Sequence, residues 1–192
     1  MAAAQRPIAA RCKLGRCTVR RDVGSLPGVA AMTDKTNRLQ VGNFPWGGCC
    51  RCGQIRFQIT QLPLITSACH CKGCQRMTAS AYSLSAGFSS EAFAVTQGDP
   101  VIGALHGEHR HFYCAYCKSW LFTRPHGFDW FVNVRSTMLD DASWYVPFIE
   151  TFTSERLSWA RTPARYSFPR FPEDKDWPTL LEQFKALGST RA

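Results

Sequence analysis

Apolar and polar residues alternate along short segments between positions 53 and 136, a period typical of β-strands with one buried face. In the clearest example, GQIRFQIT (53–60), the alternating apolar residues are Ile55, Phe57 and Ile59. The other strand-like segments are 80–88, 91–97, 111–117, 119–125 and 129–136. Turn-forming residues at 98–100 and 125–127 separate some of them. The pattern therefore predicts a mainly β fold built from short strands.

The chain changes character after residue 162. Residues 163–178 are rich in proline and aromatic residues and are predicted to form an extended strap. The sequence DWPTLLEQFKALG follows, with Asp176 as candidate cap, Pro178 in the first turn and Gly188 at the end, which predicts a C-terminal helix. We therefore divide the chain into an extension (1–40), a metal-binding β domain (41–162) and a strap with a helix (163–192).

The charge lies mostly in the N-terminal extension. The formal net charge is +9, and residues 1–31 contribute +5 of it from six basic residues and one acid. Because the rest of the chain is only mildly basic, a nucleic-acid-binding face across the domain is not expected. We expect residues 1–31 to be a disordered extension or to precede a start at Met32.

The compartment follows from what the chain lacks. No run of about 18 apolar residues is present, and the N-terminus has no apolar centre of a secretory signal. We therefore expect a cytoplasmic protein whose cysteines stay reduced. Cys12 and Cys17, in the extension, are interpreted as incidental thiols.

Clustered cysteines are the strongest chemical signal. Of the ten cysteines, eight form three short groups: GGCCRC (Cys49, Cys50, Cys52), CHCKGC (Cys69, Cys71, Cys74) and YCAYC (Cys114, Cys117). Spacings of this kind in a reducing compartment indicate metal binding rather than disulfides. Both C-x-C pairs are predicted at turns or bends, because an extended strand would hold the two sulfur atoms too far apart to share an ion.

The number of sulfur atoms separates two kinds of site. Cys50, Cys52, Cys114 and Cys117 would form a closed structural zinc site, whereas Cys69, Cys71 and Cys74 would leave one position of a second zinc for an exchangeable ligand. Cys49 either supplies a fourth ligand there or is a buried thiol, and we favour burial.

Three thiolates make zinc a poor acid for activating water and favour a further sulfur ligand. A thiol bound there would lose its proton and become a nucleophile at neutral pH. The second site therefore suggests a thiol substrate, and glutathione is the abundant candidate.

The ordered segments GGCCRCGQIRFQI, CHCKGCQR, FYCAYCKSWLF and VNVRSTMLDD resemble the glutathione-dependent formaldehyde-activating enzyme family, whose domain centromere protein V shares. The resemblance covers roughly residues 44–145. It implies a zinc-containing β-tent of short antiparallel sheets and S-(hydroxymethyl)glutathione synthase activity, a carbon–sulfur lyase reaction. It also implies two zinc ions, a structural one on Cys50, Cys52, Cys114 and Cys117 and a catalytic one on Cys69, Cys71 and Cys74. Lys118 departs from the family pattern, which has glycine there.

Basic side chains near the second cluster are candidates for binding the glutathione carboxylates: Lys72, Arg76 and Arg135. The alternative is that they are solvated surface charges. His70 is either a proton shuttle or simply a packed or exposed histidine, and we favour the second interpretation. His106, His109 and His111 either bind adventitious metal or form a polar hairpin tip, which is the simpler interpretation.

A different class of function competes with the enzyme. A non-catalytic zinc module could bind protein or nucleic acid through exposed Trp120, Trp130 and Trp144. We favour core positions for these tryptophans, because basic residues are not interleaved with aromatic ones along any strand. The expected partners are thus a small thiol and an electrophile, with no membrane or nucleic acid.

Overall fold

The computed structural model describes residues 44–103 and 108–189. These residues contain eleven short strands and two α-helices. The strands are β1 (Trp46–Cys49), β2 (Arg56–Ile59), β3 (Ile65–Cys69), β4 (Ser83–Ser89), β5 (Phe93–Gln97), β6 (Val101–Gly103), β7 (Arg110–Tyr113), β8 (Trp120–Arg124), β9 (Phe131–Arg135), β10 (Ile149–Thr151) and β11 (Tyr166–Ser167). The helices are α1 (Lys72–Thr78) and α2 (Trp177–Ser189). The predicted extension (1–40), with Cys12 and Cys17, and His106 lie outside the described residues.

The strands form two sheets. The smaller has the order β1-β2-β5, and the larger has the order β11-β10-β3-β4-β9-β8-β7-β6. Neighbouring strands are antiparallel except at β10, which pairs in parallel with both β3 and β11. The mainly β fold with short antiparallel sheets and a C-terminal helix is thus confirmed, with these two parallel pairings in addition.

Alternation predicted β2 correctly. Phe57 and Ile59 are almost fully buried, while the intervening Gln58 is exposed. Phe57 and Phe93 of β5 pack at a ring-centroid distance of 5.4 Å, and Phe93 lies 4.7 Å from Phe122 of β8. These rings join the two sheets in one core that also contains Cys50 and Cys114.

The segment predicted as a strand over 111–117 stops at Tyr113. Residues beyond it form a tight turn in which Lys118 N–H donates to the Cys114 carbonyl (3.0 Å) and Cys114 N–H donates to the Ser119 carbonyl (3.1 Å). Cysteines 114 and 117 therefore lie in a turn between β7 and β8, where both sulfur atoms can face one point.

The C-terminal strap and α2 lie at the end of the larger sheet formed by β11, β10 and β3. Strap residues pair with the chain after β10, with Phe152 N–H donating to the Arg170 carbonyl at 3.2 Å. Leu180 and Phe184 of α2 pack with Ile65, Phe148 and Ile149 in a second apolar cluster. Within the described residues, neither helix is long and apolar enough to cross a membrane.

The start of α2 differs from the prediction. Asp176 is not the cap; a 3-10 turn (174–176) precedes the helix, Glu173 is its N-cap, and the Asp176 carboxylate accepts from Glu173 N–H at 3.0 Å. Gly188 lies inside the helix rather than after it. Glu173 is the cap because Glu173 and Asp176 form a reciprocal capping box, in which the side chain of each accepts from the backbone N–H of the other.

Candidate metal centres

Four cysteines from two turns converge where the sheets meet. Their sulfur atoms all lie within 4.8 Å of one another: Cys50, Cys52, Cys114 and Cys117. The Cys50–Cys52 sulfur distance is 3.4 Å and the Cys52–Cys114 distance is 3.7 Å. Tetrahedral zinc with bonds of about 2.3 Å separates its sulfur ligands by about 3.8 Å, so this donor set fits the ion in chemistry and in size.

Two similar turns present these sulfur atoms. In the first, Cys50 N–H donates to the Ile55 carbonyl at 3.1 Å, and Ile55 N–H donates to the Cys50 sulfur at 3.3 Å. In the second, Cys114 and Ser119 make the matching backbone contact, and Cys117 N–H donates to the Cys114 sulfur at 3.5 Å. Amide donors of this kind stabilise thiolates and orient metal ligands.

Each turn needs one residue in the left-handed conformation. Gly53 supplies it in the first turn with φ of +76°, and Lys118 supplies it in the second with φ of +59°. The lysine replaces the glycine that the family resemblance predicts, and its Nζ donates to the Ala115 carbonyl at 2.6 Å. The second turn therefore forms without glycine, at a backbone cost of about 1–2 kcal/mol.

The thiols of this group respond differently to their surroundings. Burial raises the pKa of Cys52 to about 12, with further upward contributions from hydrogen bonds to its neighbouring thiols. Burial also acts to raise the pKa of Cys117, but hydrogen bonds with Ser119 and Cys52 outweigh it and lower that pKa to about 6. Crowded thiols resist losing several protons together, so a bound cation would be needed to hold all four as thiolates.

Three further cysteines meet at the start of α1. Cys69 ends β3, Cys71 is the N-cap of the helix and Cys74 lies in its first turn, with the sulfur atoms within 4.8 Å of one another. The Cys71 sulfur accepts from Cys74 N–H at 3.3 Å. Cys71 and Cys74 are buried, whereas Cys69 is half-buried.

This arrangement was only partly predicted. The C-x-C pair Cys69 and Cys71 leaves β3 at a bend, as expected, whereas Cys74 lies in a short helix that the sequence did not predict. The helix includes Gly73, which lies between Cys71 and Cys74. Among the described residues, no fourth cysteine, histidine or carboxylate joins this group.

Aromatic side chains and a buried cation surround the three thiols. Trp120 packs with Cys71 and Cys74, and the group is completed by Cys69, Met77, Tyr113 and Phe152. The Arg135 guanidinium lies 4.0 Å from the Trp120 ring centroid and donates to the Ser83 hydroxyl at 3.2 Å. Only 5% of Arg135 is exposed.

Neighbouring thiols make Cys74 and Cys69 harder to ionise. Hydrogen bonding to Cys69, then to Cys71, together with burial raises the pKa of Cys74 strongly, whereas the Ser83 hydroxyl acts to lower it. Hydrogen bonding to Cys71 is the main cause of the raised pKa of Cys69. A cation bound between them would relieve this repulsion, so the donor set fits a soft divalent ion such as zinc.

The comparisons with known proteins give one family match. The sequence pattern of the family described as glutathione-dependent formaldehyde-activating enzyme matches residues 45–155. The chain belongs to this family. The matched range contains all seven cysteines of the two centres.

Other comparisons add little to the family assignment. No curated protein matches the chain significantly. A crystal structure of a Rhodobacter sphaeroides protein, a Northeast Structural Genomics target, is similar to it with a TM-score of 0.42 and 14% sequence identity. The match covers 64% of this chain and 98% of that one.

In this member of the formaldehyde-activating family, His70 is a packed side chain with a defined partner. It is fully buried, and its Nε2 lies 3.0 Å from a Glu150 carboxylate oxygen. Glu150 is itself buried and also accepts from Arg156 (3.1 Å), Thr162 (2.7 Å) and Ser167 (2.6 Å). This network connects β10 and the strap to the residue between two cysteines of the second centre.

The predicted glutathione-binding residues Lys72 and Arg76 both lie exposed on α1, beside the second centre. Lys72 already contacts Glu155, because its N–H donates to the carboxylate at 2.7 Å and its Nζ donates to the backbone carbonyl at 3.1 Å. Their role toward a substrate stays a prediction.

The remaining sequence predictions fall outside both centres. Cys49 is buried, and its sulfur lies 3.6 Å from an Asp140 carboxylate oxygen, so it belongs to neither sulfur group. His111 is buried and shares a 2.8 Å hydrogen bond with Thr123, which contradicts its placement at a polar hairpin tip. Trp120 and Trp144 are core residues as expected, but Trp130 is 57% exposed.

Sequence reasoning missed most of the second centre's surroundings. Ser83, Tyr113, Met77 and Phe152 carry no motif that marks them. Met77 lies on α1 with Cys74, whereas strand pairing brings Ser83 to Cys69 and Tyr113 to Trp120. The adjacency of Tyr113 and Trp120 follows from the β7–β8 register, in which they are partners. A prediction that β7 ends at Tyr113, rather than at residue 117, would have indicated this pair.

Proposed function

We propose that the protein is a zinc-dependent carbon–sulfur lyase of the S-(hydroxymethyl)glutathione synthase type. In the proposed reaction, the glutathione thiol adds to formaldehyde or a related electrophile at the three-cysteine centre. The observation that carries the proposal is the contrast between a four-sulfur and a three-sulfur group in one family member. A reducing compartment such as the cytoplasm suits the proposal, since the eight described cysteines are free thiols.

Two zinc ions are proposed as cofactors. Cys50, Cys52, Cys114 and Cys117 would hold the structural ion, and Cys69, Cys71 and Cys74 would hold the catalytic one. When bound by three thiolates, zinc supplies a position for the substrate sulfur and lowers the pKa of that thiol.

The chain's own residues then position the reactants. Trp120, Met77 and Phe152 pack around the cysteines and would limit water near the reacting sulfur. Lys72 and Arg76, exposed on the adjacent helix, are proposed to bind the glutathione carboxylates. As the sulfur–carbon bond forms, the carbonyl π electrons move to oxygen, which takes up a proton equivalent to the one the thiol lost.

Exchange spectroscopy tests the reaction directly. NMR at equilibrium would measure how fast formaldehyde and glutathione interconvert with their adduct, with and without protein. We expect acceleration by the native protein and none by Cys71→Ala, while Cys49→Ala, outside both centres, keeps the native rate. An exchange rate equal to the uncatalysed one for native protein with two bound zinc ions would contradict the proposal.

One observation favours a second function. Phe128 and Trp130 are 51% and 57% exposed and lie 6.4 Å apart between β8 and β9, so they form an exposed aromatic pair. A non-catalytic zinc module could bind a protein partner there. That function predicts that Trp130→Ala abolishes partner binding and that native protein leaves the exchange rate unchanged.

A further inference from the structure

Arg135 is the one buried cation beside the second centre among the described residues. It ends β9, is 5% exposed and stacks over Trp120, the ring that packs on Cys71 and Cys74. Burial lowers the pKa of Arg135, and negative charge on Cys74 or Cys69 acts to raise it. A surface clamp for a substrate carboxylate would not be buried in this way.

Ser83 connects the guanidinium to the sulfur atoms. Arg135 Nη1 donates to the Ser83 oxygen at 3.2 Å, and Ser83 is the partner of Cys69 in the β3–β4 register. Because the guanidinium can only donate, it occupies a lone pair of the Ser83 oxygen and leaves the hydroxyl hydrogen available to a second acceptor. Outer hydrogen bonds of this type orient metal ligands.

Charge balance gives the pair a purpose. Three thiolates and one divalent ion carry a net charge of −1, and a thiolate substrate would make it −2. An uncompensated charge of that size is strongly disfavoured in a buried site. The guanidinium restores neutrality before the substrate binds and leaves −1 afterwards.

We propose that Arg135 is the counter-charge and positioning residue of the three-cysteine centre. Its positive charge strengthens the binding of the metal and of an anionic thiolate as the fourth ligand. This inference rests on the proposed function. It assigns to Arg135 a role that is different from binding the glutathione carboxylates.

The test compares Arg135→Met, Arg135→Lys and Ser83→Ala with native protein. Arg124→Met is the matched control. Arg124 also lies over an aromatic ring (Phe93, 6.0 Å) and donates to a serine (Ser90, 2.8 Å). It lies at the end of β8 opposite Trp120, the ring that packs on the cysteines. For each protein we would measure the zinc stoichiometry and the metal affinity by competition with a chromophoric chelator. Glutathione affinity would be measured by titrating the cobalt-substituted protein and monitoring its sulfur-to-cobalt absorption.

We expect Arg135→Met to weaken the more labile metal by about 10–100-fold, the range for outer-shell substitutions. Glutathione affinity should fall at least as much, while the tighter metal is unchanged. Arg135→Lys should retain part of both affinities since it keeps the charge, and Ser83→Ala should reduce metal affinity even if Arg135→Met does not fold.

Three results would overturn the inference. Native affinities in Arg135→Met or in Ser83→Ala would remove the role of the pair, and equal losses in Arg124→Met would mean a general effect on the fold. A single zinc in native protein would instead contradict the proposed function, and this inference with it. Two zinc ions in native protein together with unchanged variants would contradict this inference alone.

Discussion

Cys71 has two tasks at the residue scale. Its sulfur belongs to the second centre, and the same atom caps α1 by accepting from Cys74 N–H at 3.3 Å. A residue that begins a helix and also binds a metal makes the ion and the helix depend on each other. Serine and alanine substitutions can separate the two tasks.

Both Cys71→Ser and Cys71→Ala should lose the labile metal, because neither side chain provides a thiolate. Only serine can still cap the helix, and loss of an N-cap costs about 1 kcal/mol. We therefore expect the free energy of unfolding of Cys71→Ala to be lower than that of Cys71→Ser by about this amount, measured by urea denaturation. Equal stabilities would show that the sulfur does not act as a cap.

Lys118 and Gly53 occupy equivalent positions in the two turns of the first centre. Both have left-handed backbones, a conformation that a side chain disfavours by about 1–2 kcal/mol. Lys118→Gly should therefore stabilise the protein by about 0.5–1 kcal/mol, since the greater freedom of glycine in the unfolded chain offsets part of the gain.

Gly53→Ala is the reciprocal variant and should destabilise the protein by a similar amount. Thermal unfolding of the zinc-loaded proteins measures both changes. A loss of stability in Lys118→Gly would mean that the Nζ bond to the Ala115 carbonyl outweighs the backbone strain.

At the scale of elements, alternation was informative where one face of a strand is buried and uninformative elsewhere. It located β2 because Phe57 and Ile59 face the core, and composition located β4, β8 and β9. It missed β1, whose sequence WGGC has two glycines, and β3, whose sequence ITSAC has little contrast between its faces. Helix α1 was missed because its seven residues, which include a glycine and the candidate metal ligand Cys74, have no helical period.

The seven sulfur atoms could be grouped correctly from the sequence, because closed zinc sites need four ligands and the spacings divide them. Their surroundings could not. The position of Arg135 depends on the β4–β9 register, in which it pairs with Ser85, and no local pattern encodes that register. The parallel pairing of β10 with β3 brings Glu150 to His70 across 80 residues.

The Glu150 network should make stability depend on pH. Burial acts to raise the pKa of Glu150, but hydrogen bonds with Ser167, Thr162 and His70 outweigh it, so the folded pKa lies below its ordinary value of 4.5. Its contribution is therefore fully present above about pH 4.5 and is lost as the pH falls through the folded pKa.

Glu150→Gln should consequently be about 3 kcal/mol less stable than native protein at neutral pH, because it removes the negative charge of Glu150 from its hydrogen-bonding partners. This difference should shrink in acid. Chemical denaturation of both proteins across pH measures it, and acid release of zinc affects both proteins alike. A difference that stays constant with pH would show that charge is not what Glu150 contributes.

At the scale of the whole molecule, the two centres differ in what they connect. The four-sulfur centre lies in the core between the sheets, and its Cys50 and Cys114 are 0% and 1% exposed. The three-sulfur centre includes the half-buried Cys69 and lies between one strand and one short helix. Loss of metal should therefore unfold the protein in the first case and leave the fold intact in the second.

Chelation in two stages tests this difference. A weak chelator should remove one zinc ion from native protein while circular dichroism and thermal unfolding change little. A strong chelator should then remove the second and unfold the chain, since structural zinc in small sites contributes on the order of 10 kcal/mol, comparable to the stability of a domain.

The variant Cys114→Ala assigns the stages to the centres. It should purify as poorly folded protein, because a large share of the core depends on the four-sulfur centre, whereas Cys74→Ala should fold with one tightly held zinc ion. Simultaneous release of both ions from native protein, with unfolding, would contradict a division between a structural and an exchangeable centre. It would also remove the basis for a substrate thiol at the second one, because that centre must keep its shape while its fourth ligand exchanges.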